Sequence, residues 1–104
     1  MQRVAFIMKL FKGCEAEYKI RHEALWPELK VLLREAGIKD YSIFLEEDTQ
    51  KLFGYMTIGD MQKSADLANH PVMKKWWNFM KDIMETNIDN SPITINLNEV
   101  FYLP

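Results

Sequence analysis

Apolar and polar positions change period several times along the 104 residues, and each change marks an element. Residues 2–10, Gln-Arg-Val-Ala-Phe-Ile-Met-Lys-Leu, are rich in β-branched and aromatic types without Gly or Pro, which predicts a strand buried on both faces. Lys12-Gly13 closes it. From Glu15 to about Ala36 the period becomes helical, with Leu25, Leu29, Leu32, Leu33 and Ala36 on one stripe. Pro27 falls inside this stretch. It has no amide hydrogen and its ring crowds the carbonyl four residues back, so a kink or restart is expected near residues 22–26, with unpaired carbonyls beside His22.

Gly37 reads as the residue just past the helix, and residues 38–45 alternate as a second strand. After a polar turn at residues 46–50, residues 51–58 read as a third strand, paired with the second as a hairpin. Gly59-Asp60 punctuates the chain, and Asp60 is placed to cap a short helix over 61–69. His70-Pro71 opens another helix, with Val72, Trp76, Phe79 and Ile83 on one stripe and Met73, Trp77, Met80 and Met84 on its neighbour. Two adjacent stripes imply contact on two sides. Residues 86–92 have the composition of an irregular connection, and 94–103 alternate as a last strand.

The order β-α-β-β-α-β predicts an α+β, ferredoxin-like fold, an antiparallel sheet with two helices over one face. The strands are nearly continuous in apolar residues, so the bare face is expected to pack against the same face of a second copy, giving a homodimer. No internal repeat or low-complexity segment appears, and residues 1–104 are expected to form a single domain.

Composition narrows the partners. Three Trp, four Tyr and six Phe are more aromatic surface than so short a chain easily hides, so some are expected in a cleft or an interface. A net charge of −2 with dispersed Lys and Arg gives no footprint for a phosphate backbone, which argues against nucleic acid. The longest apolar runs, such as residues 4–8, are too short to cross a bilayer, and no secretion signal is visible, so a soluble intracellular protein is expected. The single Cys14 excludes an internal disulfide and fits a reducing compartment. His22 and His70 lie far apart without Cys or His at ligand spacing, so no metal is expected. Phosphate loops, nucleophile elbows and dinucleotide fingerprints are absent from the sequence.

His22 is the candidate acid–base group, because its unperturbed pKa lies near neutrality and it sits where the helix is expected to break. Tyr18 stands four residues earlier, on the same helical face, and the two can approach one ligand or form an ordinary packing pair. Trp76 and Trp77 point about 100° apart on their helix and cannot fill the same core patch, so one is free to meet a ligand or a partner. An indole offers a flat apolar face and one N–H donor, a combination suited to a sugar. Tyr41 and Tyr55 can add hydroxyls to the same cavity or serve as plain core residues.

Beyond these single residues, longer runs carry a resemblance. Arg21-His22, Leu25-Trp26-Pro27-Glu28-Leu29, Tyr41-Ser42-Ile43-Phe44-Leu45, Trp76-Trp77 with Met80 and Met84, Asp89-Asn90-Ser91-Pro92 and the terminal Glu99-Val100-Phe101-Tyr102-Leu103-Pro104 together resemble the L-rhamnose mutarotase family over essentially the whole chain. The resemblance implies a dimeric ferredoxin-like α+β barrel in the cytoplasm, acting on L-rhamnose without a cofactor. It also implies His22 as proton donor, with Tyr18, Tyr41, Trp76 and Trp77 at the sugar-contacting positions. Three residues depart from the expected pattern: Ile20 where a basic residue is common, Asp40 where asparagine is usual, and Ile88 where proline often precedes Asp89.

Mutarotation needs a proton delivered to the ring oxygen and another removed from the anomeric hydroxyl, and a neutral-range acid such as His22 can give its proton to the ring oxygen and recover it on closure. The base acting on the anomeric hydroxyl is left open among a tyrosine, a carboxylate and a water. The residues also leave two rivals open, a cofactorless monooxygenase on the same barrel and a non-catalytic binding module.

Overall fold

The computed structural model describes residues 1–104. In chain order the elements are β1 (Gln2–Lys9), α1 (Glu15–Glu23), α2 (Pro27–Glu35), β2 (Ile38–Glu46), β3 (Lys51–Ile58), α3 (Met61–Asp66), a 3₁₀ turn (Leu67–Asn69), α4 (Pro71–Met80) and β4 (Ile95–Leu97). The strands form one antiparallel sheet in the order β2-β3-β1-β4. No helix is long and apolar enough to cross a membrane.

Pleating sorts the sheet into two faces. On one face Phe6, Met8 and Leu52 join Tyr18, Leu29, Trp76 and Met80 of the helices in the main core. On the other face stand Ala5 and Ile7 of β1, Phe53 and Tyr55 of β3, Phe44 of β2, and Ile95 and Leu97 of β4. No helix covers this second face, and Phe44 is 67% exposed and Ile95 62%. β1 is therefore buried on one face and only half-buried on the other, where Ala5 and Ile7 lie, so the expectation of burial on both faces does not hold within one chain.

Pro27 divides the long helical stretch into two. As the first residue of α2 it has no amide to leave unpaired. At this break the His22 carbonyl itself is paired, accepting from the Leu25 amide at 3.2 Å. Asp60 caps α3 as the sequence suggested, its Oδ1 accepting from the amides of Gln62 and Lys63. His70 caps α4 through Nδ1, which accepts from the Val72 amide at 3.2 Å.

The two apolar stripes of α4 outlast the helix. Regular helix stops at Met80, yet Ile83 and Met84 remain buried, because the turn that follows bridges Met84 to Leu10 and hydrogen-bonds the Phe11 amide to the Ile83 carbonyl. The last strand is shorter than its alternation suggested. β4 pairs with β1 only through Ala5, Phe6 and Ile7, and residues 98–104 continue as an exposed extension. Alternation measures which side chains share a face, and without a partner strand it forms no ladder. Arg3 holds this extension, with Nη2 2.7 Å from Glu99 Oε1 and the guanidinium 3.4 Å from the Tyr102 ring centroid.

β2 carries an irregularity that matters for the site. Lys39 pairs with Thr57 and Ser42 with Tyr55, so Asp40 and Tyr41 together oppose Met56 alone. This is a β-bulge, and Asp40 takes the left-handed conformation with φ 52°. The extra residue reverses the side on which every later residue falls. Ile38 is buried, Lys39 points away, and Tyr41, Ile43 and Leu45 return to the helix-covered side.

Gly54 of β3 lies between Phe6 and Ile43. A Cβ there would stand 2.5 Å from Phe6 Cε2, so the missing side chain lets the Phe6 ring lie across the strand, edge-on to Tyr41 at 6.3 Å between centroids.

Candidate active site

Between the helices and the covered face of the sheet lies a cavity of about 960 Å³, mostly apolar, into which Tyr18, His22, Tyr41, Trp76 and Trp77 all reach. α1 supplies the first two. Their four-residue spacing places the rings face to face, with centroids 4.2 Å apart and planes inclined by 27°. The His22 Nδ1 is 3.0 Å from the Tyr18 carbonyl oxygen, the acceptor one turn back.

α4 forms the adjoining wall. Trp76 is buried and presents its ring edge-on to His22, with centroids 5.4 Å apart and planes at 88°. Trp26, in the break between α1 and α2, packs edge-on against Trp76 at 5.1 Å, and Phe79 closes the cluster 5.6 Å from Trp26 and 5.7 Å from Trp76. Trp77 is half-buried and lines the cavity from the next position on the helix.

A match to the family model described as L-rhamnose mutarotase runs over residues 3–103. The chain belongs to the L-rhamnose mutarotase family. Relatives named L-rhamnose mutarotase include one from Formosa agariphila, 53% identical over 103 residues with 99% of each chain covered. Another, from Flavobacterium johnsoniae, is 57% identical over 101 residues, covering 97% of this chain and 94% of the relative. The relative from Agrobacterium fabrum is 55% identical over 104 residues, covering all of this chain and 97% of its own. A crystal structure of the L-rhamnose mutarotase of Formosa agariphila is similar over the full length of both chains, with a TM-score of 0.94 and 51% identity.

In this member of the mutarotase family, burial decides the charge state of the site. Burial lowers the pKa of His22 below its ordinary 6.5, and the hydrogen bond to the Tyr18 carbonyl only partly offsets the shift. Neutral His22 with an acceptor beside Nδ1 carries its proton on Nδ1, which leaves the Nε2 lone pair unprotonated. Burial also raises both tyrosines. Tyr41 is pushed up to about 12, and Tyr18 is raised further, with the neighbouring Tyr41 phenol adding to the effect. At neutral pH the cavity therefore holds one neutral base and two protonated hydroxyls.

Of the six residues singled out in the sequence, Tyr18, His22, Tyr41, Trp76 and Trp77 reach this one cavity. Tyr55 does not. Its neighbours in the sheet are Ala5 and Ser42, on the face away from the helices, and the bulge at Asp40 is what separates it from Tyr41. Sequence reasoning missed Trp26, which does not line the cavity but packs on Trp76 and supports that wall. Its position just before Pro27 was the available signal, since a residue at the joint of two helices lies close to whatever the break exposes. No three His, Cys, Asp or Glu side chains are grouped closely enough to hold a metal ion.

Proposed function

We propose that this chain interconverts the α and β anomers of L-rhamnose by acid–base catalysed opening and closing of the pyranose ring, an isomerase reaction of carbohydrate metabolism. The observation that carries the reading is His22, pinned through Nδ1 in an aromatic cavity of a chain that belongs to the L-rhamnose mutarotase family.

In this mechanism the bare Nε2 of His22 takes the proton from the anomeric hydroxyl. A hydroxyl of Tyr18 or Tyr41 gives a proton to the ring oxygen, and the bond from C1 to that oxygen breaks to leave an open-chain aldehyde. Rotation about C1–C2 turns the aldehyde over. On closure the phenolate recovers its proton from the attacking hydroxyl and the His22 imidazolium returns its own to the new anomeric oxygen. His22 is thus the proton donor of the closing half, and the net reaction consumes no redox equivalent and no co-substrate. L-rhamnose has a methyl at C6, which an apolar wall of Trp and Met accepts without stranding a polar group.

The strand order β2-β3-β1-β4, with helices on one face, supports a ferredoxin-like reading of residues 1–104 as one domain. Phe44, Phe53, Tyr55, Ile95 and Leu97 on the bare face support a homodimer packed sheet to sheet as an α+β barrel. A lone unpaired cysteine fits a cytoplasmic setting.

The test is NMR saturation transfer between the two L-rhamnose anomers, with the protein, with His22→Ala and with buffer alone. Faster exchange with the protein and buffer-like exchange with the variant are expected. Equal rates in all three samples would overturn the assigned function, and full activity in the variant would overturn the role of His22.

A further inference from the structure

Arg21 precedes His22 in α1, does not line the cavity, and is nevertheless only 11% exposed along its side chain. Its guanidinium makes four hydrogen bonds. Nε meets Glu17 Oε1 at 3.0 Å, Nη1 meets Asp82 Oδ1 at 2.8 Å, and Nη2 meets Asp82 Oδ2 at 3.2 Å. Nη1 also donates to the Phe79 carbonyl at 2.7 Å, and the guanidinium lies 4.4 Å from the Phe79 ring centroid.

These contacts join the two halves of the site. α4 ends at Met80, so the Phe79 carbonyl is one of the last four of the helix and has no partner within it. A cation at that end also faces the negative pole of the helix. Phe79 packs on Trp76, and Trp76 stands edge-on to His22. A path of contacts therefore runs from Arg21 around to the imidazole on the neighbouring residue.

We propose that Arg21 and Asp82 form a positioning clamp for catalysis, fixing how His22 on α1 sits against Trp76 on α4 in the wall of the cavity that holds the sugar. The proposal rests on the reading that His22 moves the proton. Stability alone does not account for so complete a set of bonds, since Asp82 is 64% exposed and ion pairs in solvent contribute little to folding. Geometry is another matter, because a catalytic group misplaced by about 1 Å can cost about 10²-fold in rate. The planar fork of Arg21 grips Asp82 at two points while reaching the Phe79 carbonyl, which a lysine cannot reproduce.

Asp82→Asn is the decisive variant, because Asp82 is exposed and the substitution keeps its shape. The measurements are kcat and KM for L-rhamnose by NMR exchange, the melting temperature, and the ring-current shift that Trp76 imposes on the His22 imidazole protons. Asp82→Asn is expected to lower kcat by about 10- to 100-fold, with KM and melting temperature little changed and the His22 shift moved toward its value in a peptide. Arg21→Lys should show the same pattern. Wild-type kcat together with an unmoved His22 shift in Asp82→Asn overturns the clamp, as does a loss of activity that merely follows a loss of folded protein. If the wild-type protein does not accelerate anomer exchange, the functional reading fails, and the His22 shift in Asp82→Asn still decides whether the clamp sets that geometry.

Discussion

The His22 ring stacks on Tyr18 at 4.2 Å, and its Nδ1 lies 3.0 Å from the Tyr18 carbonyl oxygen, so one residue fixes both the tilt and the tautomer of the other. The nitrogen left free to take a proton is Nε2 as a consequence, and burial keeps it unprotonated at neutral pH.

That arrangement sets the pH dependence. The folded His22 titrates below its ordinary 6.5, so kcat/KM should be flat above about pH 6.5 and fall on the acid side as Nε2 is occupied. The stability effect has the same sign. As pH drops through 6.5 the unfolded chain binds a proton at this residue before the folded chain does, so stability falls with pH in that window. Thermal melts at pH 7 and pH 5 should show a smaller loss for His22→Gln than for the wild type. A kcat/KM that rises toward acid would show that the imidazolium is the starting form.

The tyrosines supply the second prediction. Burial holds both phenols protonated, and in the proposed mechanism one of them is the donor to the ring oxygen and the other a hydrogen-bonding contact. In Tyr18→Phe and Tyr41→Phe, one variant should lose about 10²-fold or more in kcat and the other should mainly raise KM. Unchanged kcat in both would exclude the two phenols as the donor.

Asp40 tests the bulge. Its φ of 52° suits asparagine, aspartate and glycine and strains a β-branched side chain. Asp40→Asn should match or exceed the wild type in melting temperature. Asp40→Val should lose about 1–2 kcal/mol in denaturant titration and lose activity as well, because Tyr41 is displaced. A fully active Asp40→Val would mean that the bulge does not set the position of Tyr41.

The bare sheet face gives a fourth. Phe44 is 67% exposed, so Phe44→Asp should leave the single chain folded while placing a charge in the proposed dimer contact. Light scattering should give twice the chain mass for the wild type and a lower mass for the variant at low micromolar concentration. Equal masses for the two proteins would remove this face from the interface.

Much of the frame was legible because its signals are local. Asp60 and His70-Pro71 announce helix starts, Gly37 with φ 84° marks a helix end, and Tyr18 and His22 meet because four residues make about one turn. Other features depended on partners that a sequence does not display. The alternation of residues 94–103 is genuine, but only Ile95–Leu97 finds β1 to pair with. The bulge did leave a trace. Ile38 is buried at an even position whereas Tyr41, Ile43 and Leu45 return to the same side at odd ones, a break in parity that a plain alternating strand over 38–45 passes over. Of the Arg21 contacts only the pair with Glu17, one turn back, is local, since its partners at Phe79 and Asp82 are 58 and 61 residues away.

Downstream of Asp40, strand β2 has two jobs that no point substitution can exchange. Replacing Tyr41 or Phe44 changes what one face carries but never which face a position serves. Only loss of the bulge does that: straightened with every residue kept, the strand would set Tyr41 opposite Tyr55 and Phe44 opposite Leu52, carrying Tyr41, Ile43 and Leu45 to the outside of the sheet and bringing Phe44 to the cavity side. The pocket and the outer surface of this strand are thus kept apart by one doubled position, and variation can tune either independently while that position is kept.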